Sequence, residues 1–237
     1  MDESPGSLAR LKPLVPRSVK RAAKQAIRNL AFRRALRHLV RLPVGEVPSR
    51  QMLIDLQAGW GNEGFAAHTD YLEEAANRAV ATSGAILECG SGLTTILLGW
   101  LAGRRGIETW SLEHMPEWHA QIARTLRRYR VPKAHVCLAP LRDYGDFWWY
   151  DPPLERMPET FKLIVCDGPP GTTPGNRYGL LPVLGERLHP GSLILLDDAD
   201  RPSEVEVLRR WSAEAKMHIE LRDVPKGNFA LVTRRTS

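Results

Sequence analysis

Between residues 85 and 102 a short apolar run, a turn with two glycines one residue apart, and a segment apolar on nearly every side follow one another, and this succession sets the fold class. Residues 85–89, Ala-Ile-Leu-Glu-Cys, suit a central strand, and residues 93–102 suit a helix packed on a sheet. Gly90 and Gly92 stand at the junction, where the missing Cβ atoms free the backbone and let a ligand come close. A turn of this kind is built to hold a small, nucleotide-like molecule, although a tight turn without a ligand has the same composition.

Details of the turn narrow its ligand. A dinucleotide-binding turn reads G-x-G-x-x-G or Ala, but the third position here is Thr95, and the Gly-Lys-Ser/Thr of a phosphate loop is absent. Glu88, two residues before Gly90, opposes a pyrophosphate and suits a ligand with an ammonium and hydroxyls. The run Glu88-Cys-Gly90-Ser91-Gly92-Leu-Thr94 resembles motif I, acid-x-Gly-x-Gly, of the class I S-adenosylmethionine-dependent methyltransferases. The resemblance implies that Glu88, Gly90, Ser91, Gly92 and Thr94 hold S-adenosyl-L-methionine.

Downstream, residues 107–112 read as a second strand ending in Glu113, 23 residues after Gly90, the spacing at which a carboxylate meets a ribose. His114 follows directly and is expected to approach the cofactor. Pro116 then opens a helix with Trp118, Ile122, Leu126 and Tyr129 on its apolar face. Further strands are expected over residues 134–138, 161–166 and 192–196, with a helix over 202–215. Residues 218–222 and 229–233, joined by Pro-Lys-Gly-Asn, read as an antiparallel hairpin. The expected fold is α/β: a Rossmann-like, doubly wound, mostly parallel seven-stranded sheet with an antiparallel last strand, plus a basic N-terminal helix. The resemblance covers residues 70–233.

Ligands of open parallel sheets bind outside the carboxyl ends of the strands. Glu88, Glu113, Asp167 and the pair Asp197-Asp198 all terminate expected strands and should converge. So many acids need a cation, which the sulfonium and ammonium of S-adenosylmethionine supply in part. Asp167, Asp197 and Asp198 also resemble the metal-binding acids of catechol-type and macrolide-sugar O-methyltransferases, which implies Mg²⁺ holding a substrate hydroxyl. The Gly-Pro-Pro-Gly after Asp167 departs from that pattern. Without a metal, Asp167 is the first candidate for general base and Asp198 the second. His68 and His119 are weaker candidates, since a lone histidine on a helix surface is commonly structural.

The segment 141–153, Leu-Arg-Asp-Tyr-Gly-Asp-Phe-Trp-Trp-Tyr-Asp-Pro-Pro, replaces a regular helix; Asp143 is a candidate contact for the adenine amine, and core packing is the default for the aromatics. Asp151-Pro-Pro-Leu154 is similar to the Asp-Pro-Pro-Tyr motif of nucleic-acid amino-methyltransferases, but it precedes its strand and ends in Leu154. Arg177 and Arg201 are candidates for holding an anionic acceptor group. The function expected is O-methylation of a small molecule or glycan, with nucleic acid disfavoured as substrate. Two other readings stay open: a nicotinamide-dependent oxidoreductase, disfavoured by Thr95, and a non-catalytic module recruited to membrane or RNA.

Charge is uneven along the chain. Residues 1–50 hold twelve Lys and Arg against three acids, +9 of a total of +6, so residues 51–237 carry −3. Residues 17–41 read as a helix whose stripe Val19, Ala23, Ile27, Leu30, Leu36 and Val40 drifts among cations, a pattern suited to an anionic membrane surface, nucleic acid, an acidic partner or simple solvated packing against the main domain. Residues 1–50, closing with a linker over 43–48, are expected to form a basic segment, and residues 51–237 the catalytic domain. The glycine-rich stretch 58–64 around Trp60 is a candidate lid. Cys89, Cys137 and Cys166 all fall in expected strands, without spacing for a metal or disulfide framework, as buried thiols of a reducing compartment would. With no membrane-length apolar run, the expectation is a cytoplasmic protein, peripheral to membrane at most.

Overall fold

The computed structural model describes residues 17–61, 67–225 and 227–234. Three helices come first: α1 (Arg17–Arg41), α2 (Arg50–Trp60) and α3 (Thr69–Ala81). They lead into β1 (Ile86–Cys89), α4 (Leu93–Gly103), β2 (Thr109–Glu113), α5 (Pro116–Tyr129) and β3 (Ala134–Leu138). A hairpin follows, β4 (Leu141–Asp143) with β5 (Trp148–Tyr150), then β6 (Phe161–Cys166), α6 (Leu180–Leu184), β7 (Leu188–Leu196), α7 (Pro202–Glu214), β8 (Met217–Arg222) and β9 (Phe229–Arg234).

The seven-stranded sheet has the order β3-β2-β1-β6-β7-β9-β8. β1 pairs in parallel with both β2 and β6, so the strand order reverses direction at β1 and a crevice opens beyond its carboxyl end. β9 is antiparallel to β7 and to β8 and lies between them, the reversed last strand expected from the turn at residues 225–228. In that turn Lys226 lies outside the described residues, as do residues 62–66 of the candidate lid.

Strand side chains sort to two faces with period two. Ile86, Leu163, Val165 and Leu195 join one buried cluster with α1 to α5, while Leu87, Ile164, Cys166 and Leu196 join a second with α6, α7 and the β4–β5 hairpin. Most aromatics of segment 141–153 thus pack as core, while Trp148 stays exposed. Phe147, Trp149 and Tyr150 are buried in the second cluster, so the hairpin covers the sheet where a helix is usual.

The N-terminal segment is not separate from the sheet domain. Phe32, Ala35, Leu36 and Leu39 of α1 belong to the same core as Leu53 and Leu56 of α2 and Tyr71 of α3. Gly59 makes this contact possible, because a Cβ there would lie 2.5 Å from the Phe32 backbone nitrogen. Arg104, just past α4, pins the end of α1 by donating to the carbonyls of Val40 at 3.1 Å and Leu42 at 2.6 Å. The second half of α1 thus packs in the same core as the helices before the sheet. The apolar stripe is corrected, since of its members only Leu36 is buried, while Val19, Ile27, Leu30 and Val40 face solvent. Among the described residues no helix is long and apolar enough to cross a membrane.

Candidate functional site

At the end of β1 the chain turns on Gly90, whose φ of +95° is a conformation that side-chain-bearing residues rarely adopt. Across the crevice Gly168 follows β6, and a Cβ on it would collide with the Tyr150 hydroxyl and lie 3.2 Å from the Gly90 backbone. Glycine at both positions lets the loops after β1 and β6 approach.

Glu88 is buried beneath this turn. Its Oε2 accepts from Thr95 Oγ1 at 2.6 Å and from Ser111 Oγ, and Thr95 Oγ1 in turn accepts the Gly92 amide at 2.9 Å. The residue that spoils a dinucleotide fingerprint is thus the tie between the acid and the turn. Burial pushes the Glu88 carboxyl up to about 7, against the hydrogen bonds of Ser111 and Thr95 that favour its ionised form. Neither Thr95 nor Ser111 was singled out as a partner of Glu88 in the sequence; a hydroxyl on the neighbouring strand, Ser111 in β2 beside Glu88, is the signal that parallel register makes readable afterwards.

Glu113 ends β2, as the spacing required. Ser91 Oγ donates to its Oε2 at 2.7 Å, the Met115 amide to its Oε1 at 2.8 Å, and His114 Nδ1 stands 3.3 Å away. Burial raises this carboxyl, but His114, the Met115 amide and Ser91 outweigh burial and hold it below the usual range. It remains an anion with hydroxyl-binding geometry already in use. Trp118 of α5 donates to the Ser91 carbonyl at 2.7 Å and meets Trp60 of α2 edge-on, ring centres 6.2 Å apart; Trp60 lies 5.4 Å from Phe32 of α1. The glycine loop is thereby braced from the N-terminal helices, a link carried by Trp118, which the sequence marked only as a core residue.

Asp143 is exposed at the end of β4, and its carboxylate accepts the Gly145 amide at 2.8 Å, closing the hairpin turn. His119 faces the Val136 carbonyl at 3.2 Å, and His68 occupies the residue before α3, against Gly227.

Beyond β6 and β7, Asp167, Asp197 and Asp198 converge, each offering an oxygen within 4.8 Å of the others. The Arg177 guanidinium is set among them. Its Nη2 donates to the Asp167 carbonyl at 2.8 Å and reaches Asp167 Oδ1 at 3.3 Å and Asp198 Oδ2 at 3.1 Å, while Nη1 donates to the Asp197 carbonyl. Arg177 is 2% exposed, so it is a buried counter-ion and not the acceptor-facing cation that sequence suggested. Arg201 stays half-exposed and pairs with Asp198 Oδ2 at 2.7 Å. Mg²⁺ needs oxygens at about 2.0–2.1 Å in near-octahedral array. Here oxygens of Asp167 and Asp198 are already engaged by Arg177, while Asp197 Oδ1 is buried without a partner. A resident Mg²⁺ held by the three carboxylates would have to draw Asp167 and Asp198 from the guanidinium and sit beside it.

Burial, and then the neighbouring Asp197, push the Asp167 carboxyl upward, with Arg177 opposing; burial and Asp198 raise Asp197 likewise. Glu204 of α7 is fully buried with Oε2 unpartnered, and its carboxyl is also raised by burial. Four carboxyls around one buried guanidinium leave this end of the sheet rich in negative charge.

Comparison with solved structures places the architecture. An O-methyltransferase from Bacillus cereus in complex with SAH matches 90% of this chain and 97% of its own, at 14% identity and a TM-score of 0.51. The SAH-bound methyltransferase PaMTH1 of Podospora anserina matches 97% of this chain and all of its own, at 16% identity and 0.50. Cofactor-bound Rv0187 from MTB matches 95% of this chain, again with all of its own, at 18% identity and 0.50. The chain has the class I methyltransferase fold. No family model and no curated protein matches it in sequence. Glu88, Glu113 and Asp167 stand at the carboxyl ends of β1, β2 and β6, which are neighbours in the sheet.

Proposed function

We propose that the protein is an S-adenosyl-L-methionine-dependent methyltransferase that methylates a hydroxyl of a small molecule or glycan. One observation carries the reading: at the reversal point of the sheet, Glu88 and Glu113 are held beside a glycine turn by neutral donors, and Asp167, Asp197 and Asp198 gather after β6 and β7 with the buried Arg177 among them. A ligand with a positive sulfonium and ammonium and a pair of ribose hydroxyls answers that excess of acid. A pyrophosphate does not, which disfavours the nicotinamide alternative.

In this reading Gly90 and Gly92 admit the cofactor to the backbone, and Glu113 accepts the ribose hydroxyls in place of Ser91 Oγ. Glu88 acts from beneath, holding the turn through Thr95. Asp167 takes the proton of the acceptor hydroxyl, because its raised carboxyl is poised to do so and part of it remains open to solvent. Asp198, committed to Arg177 and Arg201, positions the guanidinium that holds Asp167. Methyl transfer then depends mostly on alignment of nucleophile and sulfonium, an effect that contributes roughly 7–11 kcal/mol in well-oriented reactions.

The test pairs calorimetry with a methyl-transfer assay over a panel of hydroxylated small molecules, glycans and RNA. Binding of S-adenosylhomocysteine, with Asp167→Asn abolishing transfer while leaving that binding within a few-fold, is the expected result. Absence of S-adenosylhomocysteine binding overturns the cofactor reading, and transfer to RNA alone overturns the acceptor reading.

A further inference from the structure

Helix α1 carries two apolar faces on opposite sides. At about 100° per residue, Phe32, Ala35, Leu36 and Leu39 cluster on one side, and these are the residues buried against the domain. Val19, Ala23, Ile27 and Leu30 cluster roughly 170° away around the helix axis, on the side turned from the domain. The structure leaves them uncovered: Val19 is 53%, Ile27 69% and Leu30 65% exposed, and every residue from 18 to 27 is exposed. Leucine and isoleucine at such exposure on a regularly spaced stripe call for a partner.

The charges say which partner. Residues 17–41 hold nine Lys and Arg and no acid. Arg33, Arg34, Arg37 and Arg41 continue the outward side of the helix where the apolar stripe ends, and all four are exposed. On the first half, Lys20 flanks the apolar stripe about 20° from Ile27 and Arg21 and Lys24 lie farther round, while Arg28 donates to the Gly61 carbonyl at 3.2 Å. One outward surface therefore presents an apolar patch followed by a row of arginines.

We infer that this surface of α1 docks the protein on a bilayer rich in anionic lipid, with Val19, Ala23, Ile27 and Leu30 entering the headgroup boundary and the four arginines meeting lipid phosphates. The apolar stripe then spans about 17 Å along the membrane plane at 1.5 Å per residue, the arrangement of an interfacial helix. A nucleic acid would satisfy the arginines but leave Ile27 and Leu30 against a polar backbone. A second copy of the chain would bring nine more cations against the first nine. Only a surface both anionic and apolar below its charges answers both features. The inference is independent of methyl transfer, since it uses no residue of the crevice.

The experiment is vesicle co-sedimentation of the whole protein, without cofactor, on phosphatidylcholine alone and on phosphatidylcholine with about one third phosphatidylglycerol. Binding to the anionic vesicles only, weakened by salt, is expected. Ile27→Gln with Leu30→Gln leaves every charge in place and should weaken that binding roughly tenfold or more. Arg33→Gln with Arg34→Gln and Arg37→Gln should weaken it comparably. These side chains are all exposed, so an unchanged melting curve is expected of both variants, and it certifies that they fold. Equal binding to neutral vesicles, no binding to either, or binding indifferent to the Ile27/Leu30 change each overturns the inference. So does tight binding of an RNA duplex that is insensitive to the apolar substitutions and competes the protein off the vesicles.

Discussion

The two groups of acids at the carboxyl end of the sheet are held by different means. On the β1–β2 side, Glu88 and Glu113 are surrounded by neutral donors: Thr95, Ser111, Ser91 and the Met115 amide. On the β6–β7 side, Asp167 and Asp198 are held by a buried guanidinium. Neutral donors orient a carboxylate and leave its charge uncompensated, available to a cationic or hydroxyl-bearing ligand. A buried cation cancels part of the charge and locks the group in place, at a desolvation cost that only intact partners offset. In the proposed function the first side is the ligand cradle, and the second is the wall that carries the proton acceptor.

That difference makes Arg177 the most damaging place to intervene. Arg177→Met strands buried carboxylates and should cost about 3–5 kcal/mol of stability, read by urea unfolding at neutral pH; Arg177→Lys should recover part of this. A loss below about 1 kcal/mol would break the distinction between wall and cradle.

Glu88 tests the cradle from beneath. Its carboxyl stands at about 7 in the folded protein against 4.5 for the free group. Between those values the folded state holds more protons than the unfolded one, so the contribution of Glu88 is fully present below pH 4.5 and falls as pH rises to about 7. A shift of this size corresponds to about 3 kcal/mol. Glu88→Gln lacks this dependence, so the stability of the variant relative to the native protein should rise by that order between pH 4.5 and 8. Parallel stability curves would remove the burial argument.

Glu113→Gln is expected to act on the ligand more than on the fold. Loss of charge-assisted bonds to two ribose hydroxyls should weaken S-adenosylhomocysteine by roughly ten- to a hundredfold, measured by calorimetry, with little change in unfolding. Ser91→Ala removes one neutral donor and should change the same affinity by less than about tenfold. Smallest of all, EDTA should leave methyl transfer unchanged, because Arg177 stands where the carboxylates would otherwise gather a metal. Activity restored by Mg²⁺ after chelation would show that the wall opens.

Much of the cradle was legible because it is local in sequence. Glu88, Gly90 and Gly92 share one turn, and Glu113 follows at the spacing set by one strand–helix–strand unit. Asp167 and Asp197 were legible as strand ends for the same reason. Arg177 was visible as a residue but not as a counter-ion, since it enters from the irregular segment between β6 and α6 and nothing in its neighbours reports burial. The turn bond of Asp143 was not legible either, since an acid after a strand closes a hairpin turn as readily as it meets a ligand.

The amino-acid sequence by itself determined the order of strands and helices, the glycine turn and the acids at the strand ends, because each depends on periodicity or on a residue's own backbone freedom. Only the tertiary structure decided which charges are paired and which apolar faces are covered. It set Arg177 among the aspartates, turned segment 141–153 into a core-packing hairpin, and gave one half of α1 to the domain while leaving the other exposed. The physical reason is that pairing and burial are relations between residues distant in the chain, and a helix stripe or a lone arginine looks the same in sequence whether or not a neighbour arrives to meet it.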